Sequence, residues 1–270
     1  MAGKRRAQPP HAGAAVATLP RGRASPALAR FAPSRRSLLV GLGLIVLAVG
    51  AYAAARESSA FSVGRIEVEG APAAVRTQVR RAVAPLVGTN LLALDGAALV
   101  RRIETVPTVR SATYDRAFPH TLRIRVVPEV PVAVLHRGKE TWLVSARGRV
   151  LFRIPNLTLG ALARIWVPRA TAVDAGAFLP PAAGGIAART LALALRFPAR
   201  IATASLAHGL LVFRLRSGLA LELGEPTDVR LKLAVARRAL AALPPGAVYV
   251  DVSVPGRPVA GTNSKLSAGG

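Results

Sequence analysis

Arg116-Ala117-Phe118-Pro119-His120-Thr121-Leu122-Arg123-Ile124-Arg125-Val126 holds a tight turn followed by a strand. Leu122, Ile124 and Val126 alternate with Arg123 and Arg125, the period of two that marks a strand with one face buried and one in water. Phe118-Pro119-His120 supplies the turn. Val109–Arg116, just upstream, reads as the partner strand. Further upstream, Asp95 is a good N-cap for a helix that carries Leu99, Ile103 and Val106 on one face, and Pro107 stops it. Val75, Val79, Ala82 or Val83, and Leu86 recur at helical spacing before Gly88. Pro85 can end that helix a turn earlier. Ile66 and Val68 alternate with Arg65, Glu67 and Glu69 in a first strand that Gly70 closes. Residues 61–130 therefore read as a β-α-α-β-β unit.

The texture changes at residue 131. Val132–His136, Thr141–Ser145 and Arg149–Ile154 form a three-strand meander with short turns. Residues 155–185 are rich in proline and glycine and read mostly as loop. Ile186–Phe197 is a short helix. Ile201–Leu206, Leu210–Arg216 and Leu219–Leu223 are strands. Pro226 opens a helix to Leu243 with Val229, Leu233, Ala236, Leu240 and Leu243 at 4-3-4-3 spacing. Val248–Val254 is the last strand of a β-rich region over 131–258, and residues 259–270 read as a flexible tail. The fold class is α+β, with a mostly antiparallel second region.

Ahead of both lies Leu38–Ala55, 18 residues without a charge, which at 1.5 Å per residue cover roughly 27 Å, enough for a bilayer core. Residues 1–37 hold eight basic residues and no acid, and five prolines interrupt them, as in a disordered basic tail. That excess places the N-terminus in the cytoplasm and the bulk of the chain outside. Ala53-Ala54-Ala55 would suit signal cleavage, but the long apolar run and the 37-residue leader favour an uncleaved anchor. The chain of 270 residues carries a net charge of +24. Of this, +16 lies beyond residue 37, across the membrane from the chromosome, which argues against a nucleic-acid partner. Four lysines against 33 arginines reflect coding bias more than arginine chemistry. Zero cysteine excludes disulfides, thiolate metal sites and a cysteine nucleophile.

No catalytic, cofactor or metal motif stands out. His11 lies in the tail, His120 and His208 in turns, His136 at a strand end, and all read as solvated. Glu67 and Glu69 share a strand face, where pairing with Arg123 or Arg125 is the plain account and an anionic partner of those arginines the sharper one. Trp142 and Trp166 read as packing residues. Nothing here implies a small-molecule substrate. In the last strand, Val248, Val250, Val252 and Val254 share one face, ready to pack on the preceding helix, and Tyr249, Asp251 and Ser253 share the other. The strand is either an exposed sheet edge, open to an extended partner, or a core strand paired on both sides. Pro255 and Pro258 lack donors and limit the ladder beyond Val254.

The β-α-α-β-β unit resembles a POTRA domain, through Val109, Arg116-Ala117-Phe118-Pro119, Leu122-Arg123-Ile124-Arg125-Val126, Glu129 and Pro131. With the anchor before it and the β-rich region after it, residues 35–258 resemble the bacterial FtsQ (DivIB) cell-division family. Leu210–Leu223 with Gly224, the helix with Lys232, and Tyr249–Val254 before Pro255-Gly256 look like that family's closing segments. The resemblance implies a single-pass inner-membrane protein at the division septum, a non-enzymatic scaffold between early and late division proteins. It implies binding of the small bitopic proteins FtsB and FtsL through a C-terminal edge strand: Tyr249, Val250, Asp251, Val252, Ser253, Val254 and Gly256. Relatives carry an arginine and a tyrosine where Ser253 and Val254 stand. The competing readings are a POTRA-based transport factor and an exported cell-wall binder, the latter suited by the basic exterior.

Overall fold

The computed structural model describes residues 34–155 and 161–262. The basic tail up to residue 33 and the end of the chain after residue 262 lie outside the described residues. Helix α1 (Arg35–Glu57) runs 23 residues, with no residue buried against the protein. It is long and apolar enough to cross a membrane. By its contacts the chain divides into Met1–Ala53 and Ala54–Gly270, so the last turn of α1 belongs with the larger unit.

That unit begins with β1 (Arg65–Glu69), α2 (Ala73–Val83), α3 (Gly96–Glu104), β2 (Val109–Ala117) and β3 (Thr121–Pro128). The strands form a sheet of order β1-β3-β2, with β3 parallel to β1 and antiparallel to β2. Leu122, Ile124 and Val126 of β3 pack with Val68, Val79, Val83, Leu99 and Ile103, so the alternation seen in the sequence is the sheet face turned to the two helices. Asp95 caps α3: its Oδ1 accepts from the Ala97 and Ala98 amides at 2.9 and 3.0 Å. Helix α2 stops at Val83 and Pro85 sits in the tight turn after it. The parallel register sets Glu67 opposite Arg123 and Glu69 opposite Arg125. Arg123 Nε lies 3.3 Å from Glu67, and Arg125 lies 3.9 Å from Glu69. Pairing on a half-exposed face thus accounts for these four charges.

The rest builds β4 (Pro131–Arg137), β5 (Glu140–Ser145), β6 (Val150–Ile154), β7 (Ala163–Val167), α4 (Ile186–Leu193), β8 (Ile201–Ala207), β9 (Leu210–Leu215), β10 (Ala220–Gly224), α5 (Val229–Ala241), β11 (Tyr249–Asp251) and β12 (Val259–Gly261). Among the described residues they form one nine-stranded sheet, ordered β12-β11-β10-β9-β8-β7-β4-β5-β6. Five of its neighbouring pairs are antiparallel; β4–β7, β7–β8 and β10–β11 are parallel. Its core face carries Leu135, Ile165, Phe213, Leu221 and Val250 against Ala188 and Leu191 of α4 and Leu233 and Ala236 of α5.

Two expectations change. Residues 155–185 are not simply loop: Ala163-Arg164-Ile165-Trp166-Val167 is a strand near the middle of the sheet, with Ala163, Ile165 and Val167 buried and the residues between exposed. And the segment after Pro258 is not all tail, because Val259–Gly261 pairs with β11.

Arg149 ties the small sheet to the large one. It is 8% exposed. Its Nε donates to the Gly176 carbonyl at 2.9 Å, and its two terminal nitrogens donate to Val109 at 2.8 Å and Glu104 at 2.9 Å. The Glu104 carbonyl ends α3, where helix carbonyls lack intrahelical partners. Burial pulls the Arg149 pKa down from its ordinary value, with Glu129 acting in the other direction. Beside it, Arg147 pairs at 3.2 Å with the buried carboxylate of Glu129, and the Phe178 ring lies within 5.3 and 5.9 Å of the two guanidiniums.

Candidate partner interface

The C-terminal end of the large sheet brings the residues singled out from the sequence together, in an arrangement that differs from the one expected. Tyr249, Val250 and Asp251 form β11, which pairs in parallel with Ala220–Glu222 and antiparallel with Val259–Gly261. The strand is therefore paired on both sides, and β12 holds the edge. It is also shorter than Val248–Val254. Backbone bonds continue on either side of it, from Ala220 N to Val248 O and from Val252 N to Glu222 O, each 2.9 Å. The chain then turns: Ser253 N donates to Asp251 Oδ1 at 2.8 Å, and Arg257 N donates to Val254 O at 3.0 Å across Pro255-Gly256. The prolines do not end the sheet; they help fold the chain back to add one more strand.

Burial follows from this turn. Val250 and Val252 are buried on α5's side of the sheet, as expected. Val248 and Val254 are not; they are 39% and 58% exposed because the regular strand stops short of both. Tyr249 is buried, since β12 lies beside it. Asp251 and Ser253 are half-buried, and Gly256 is exposed. Two glycines make the packing possible. A Cβ at Gly261 would stand 2.6 Å from the Tyr249 ring. Gly224 has φ +64° and a Cβ there would meet Ser253 at 2.6 Å, so no other residue lets the chain cross the end of β10 this closely. Val259 is 50% exposed. Among the described residues no strand pairs with the outer side of β12.

The other candidates sit elsewhere. His120 Nδ1 lies 3.1 Å from the Ser62 carbonyl. His208 occupies a turn with φ 51°. His136 is stacked on Trp166, ring centres 4.4 Å apart, and burial, then the Arg164 charge, lowers its pKa. Trp142 packs on the core. Trp166 does not; it is 62% exposed on the uncovered face of β7, contrary to the packing reading. These groups are dispersed over both sheets and do not converge on one cleft.

Residues 61–127 match the POTRA domain of FtsQ type. Over this stretch the chain carries an FtsQ-type domain and is similar to cell division proteins named FtsQ. The cell division protein FtsQ of Streptomyces venezuelae is 31% identical over 117 residues, 43% of each chain. FtsQ of Mycobacteroides abscessus is 31% identical over 113 residues, 42% of this chain and 36% of its own. FtsQ of Streptomyces coelicolor is 26% identical over 126 residues, 46% and 48%. The matches thus span less than half the length of these FtsQ relatives. Sequence reasoning located the FtsQ-type domain through its third strand and its capped helix. It missed β12, whose three residues, Val259-Ala260-Gly261, are too few for a strand period to register.

Proposed function

We propose that this protein is a non-enzymatic scaffold of the bacterial division machinery, held in the cytoplasmic membrane by α1 with its N-terminus inside and its two sheets outside. It joins early and late division proteins at the septum by capturing FtsB- and FtsL-type small bitopic proteins. The observation that carries this reading is the outer side of β12, a strand edge beside Val254 and Gly256 at the end of an FtsQ-type chain. An extended segment of a partner can add there as a further strand, with main-chain hydrogen bonds for affinity. Buried Tyr249, Val250 and Val252 then support the edge, while Asp251 and Ser253 fix the turn that presents it.

Consecutive backbone N–H groups of a strand point to opposite neighbours. One of Val259→Pro and Ala260→Pro therefore removes a donor from the outer side. Pulldown from membranes with full-length chains is expected to lose the FtsB- and FtsL-type proteins for at least one of the two, with the small sheet still folded. Capture of both by both variants at the unsubstituted level overturns the edge reading. Normal septation after depletion of the protein overturns the division role.

A further inference from the structure

The end of the FtsQ-type domain that faces away from Arg149 has its own chemistry. Phe61, Val63, Gly88, Phe118 and His120 meet there. The Gly88 amide donates to Val63 O at 2.9 Å, the Gly64 amide to His120 O at 2.8 Å, and the Phe61 and Phe118 rings meet edge to face at 5.8 Å. Two large apolar side chains at this tip face outward: Val87 is 58% exposed and Phe118 51%. Pro119 beside them is exposed as well.

Asn90 fastens the same tip to the exit of α1. Its side-chain amide donates to the Ala55 and Ser58 carbonyls, each at 2.8 Å. Its own Oδ1 is held by the Leu92 amide, also at 2.8 Å. The last carbonyls of a helix have no partner within it, and here a residue of the folded domain supplies one. The link is also short in sequence: Phe61 stands four positions after Glu57, a reach of at most about 14 Å. A domain tied within so few residues to the end of an apolar span can reach the headgroup layer, where side chains with large rings gather. Arg56 and Arg65 flank it, and long cationic stems can lie along the apolar surface while their heads stay in water.

We propose that Val87, Phe118 and Pro119 form a lipid-binding tip that seats this domain in the outer headgroup layer, with Asn90 holding the domain to the helix exit in that pose. The inference rests on α1 crossing a bilayer, as proposed above. The absence of native cysteine allows one nitroxide per chain. Full-length Val87→Cys, Phe118→Cys, Val127→Cys and Ile45→Cys proteins, spin-labelled in phosphatidylethanolamine–phosphatidylglycerol bilayers, are compared by collision with oxygen and with a water-soluble nickel chelate. Val127, exposed near the end of β3 remote from the Phe118 turn, serves as the aqueous reference, and Ile45 as the reference within α1. The ratio of oxygen to nickel collisions is expected to be several-fold higher at 87 and 118 than at 127. A ratio at 87 and 118 equal to that at 127, with Ile45 immersed, overturns the inference and leaves the span intact. Shielding of 87 and 118 from both reagents means a protein contact and also overturns it. An exposed Ile45 label overturns the span itself. Val87→Cys changes an exposed side chain, so it remains informative if Phe118→Cys disturbs the ring pair.

Discussion

In the small sheet every strand is joined to its neighbours over its length, and the charges on its open face, Glu67, Glu69, Arg123 and Arg125, are matched by register. The large sheet is built differently. Its two halves, β6-β5-β4-β7 and β8-β9-β10-β11-β12, meet through one registered pair, Arg164 with Thr203. Side chains do the joining there: Ala163, Ile165 and Val167 of β7 and Ala204 of β8 pack with Ala187, Ala188 and Leu191 of α4. In the first sheet every neighbouring pair is joined by a continuous ladder, even though β1 and β3 lie far apart in sequence; the two halves of the second depend on a core that many distant segments must complete together.

The largest expected effect tests that dependence. Ile165 is 2% exposed, and Ile165→Ala should cost about 2–5 kcal/mol, the range for deleting a buried aliphatic side chain. Both tryptophans, Trp142 and Trp166, lie in the large sheet. Denaturant unfolding of the full chain followed by their fluorescence reads the loss there, and a midpoint unchanged from the parent would count against the packed seam. Next comes the coupling between the sheets. Arg149→Ala removes three charge-assisted hydrogen bonds and should cost about 3 kcal/mol. It should also separate two events now joined: Ile124→Ala, in the small sheet, is expected to shift the tryptophan transition only while Arg149 is present. An equal shift in both backgrounds would mean that other contacts carry the coupling.

The smallest effect belongs to Asp95. The Ala98 amide, then the Ala97 amide and Arg101, hold its pKa below 3.8, against an opposing desolvation effect. The folded chain thus binds this proton less readily than the unfolded one. The contribution is complete above 3.8 and is lost as pH falls through the lowered value. Asp95→Asn keeps a capping oxygen but cannot titrate. Its stability should match the parent at neutral pH, and the gap between them should change only below 3.8; parallel stability–pH curves through that window would refute the cap's linkage.

What was legible in the sequence follows the same division. Asp95, Pro85, and the alternation of Leu122, Ile124 and Val126 each fix one local decision, and the small sheet is the sum of such decisions. The meander β4-β5-β6 and the amphipathic α5 were readable for the same reason. β7 carried a readable alternation too, Ala163-Arg164-Ile165-Trp166-Val167, but it stands among prolines and glycines, and its partners β4 and β8 lie in separate segments on either side. At the candidate interface the residues singled out from the sequence lie together at one end of the large sheet. The order of its last two strands did not follow from them, because it depends on the room that Gly261 leaves for Tyr249. The Asn90 and Arg149 contacts reach 35 and 45 residues along the chain, beyond any local pattern.

The single registered pair between β7 and β8 has a mechanical consequence. A sideways pull on β12 is shared by hydrogen-bond ladders as far as β8. From there to β7 it passes mainly through the side chains beneath α4. Across that line packed hydrocarbon, rather than a continuous backbone ladder, holds the two halves of the sheet together.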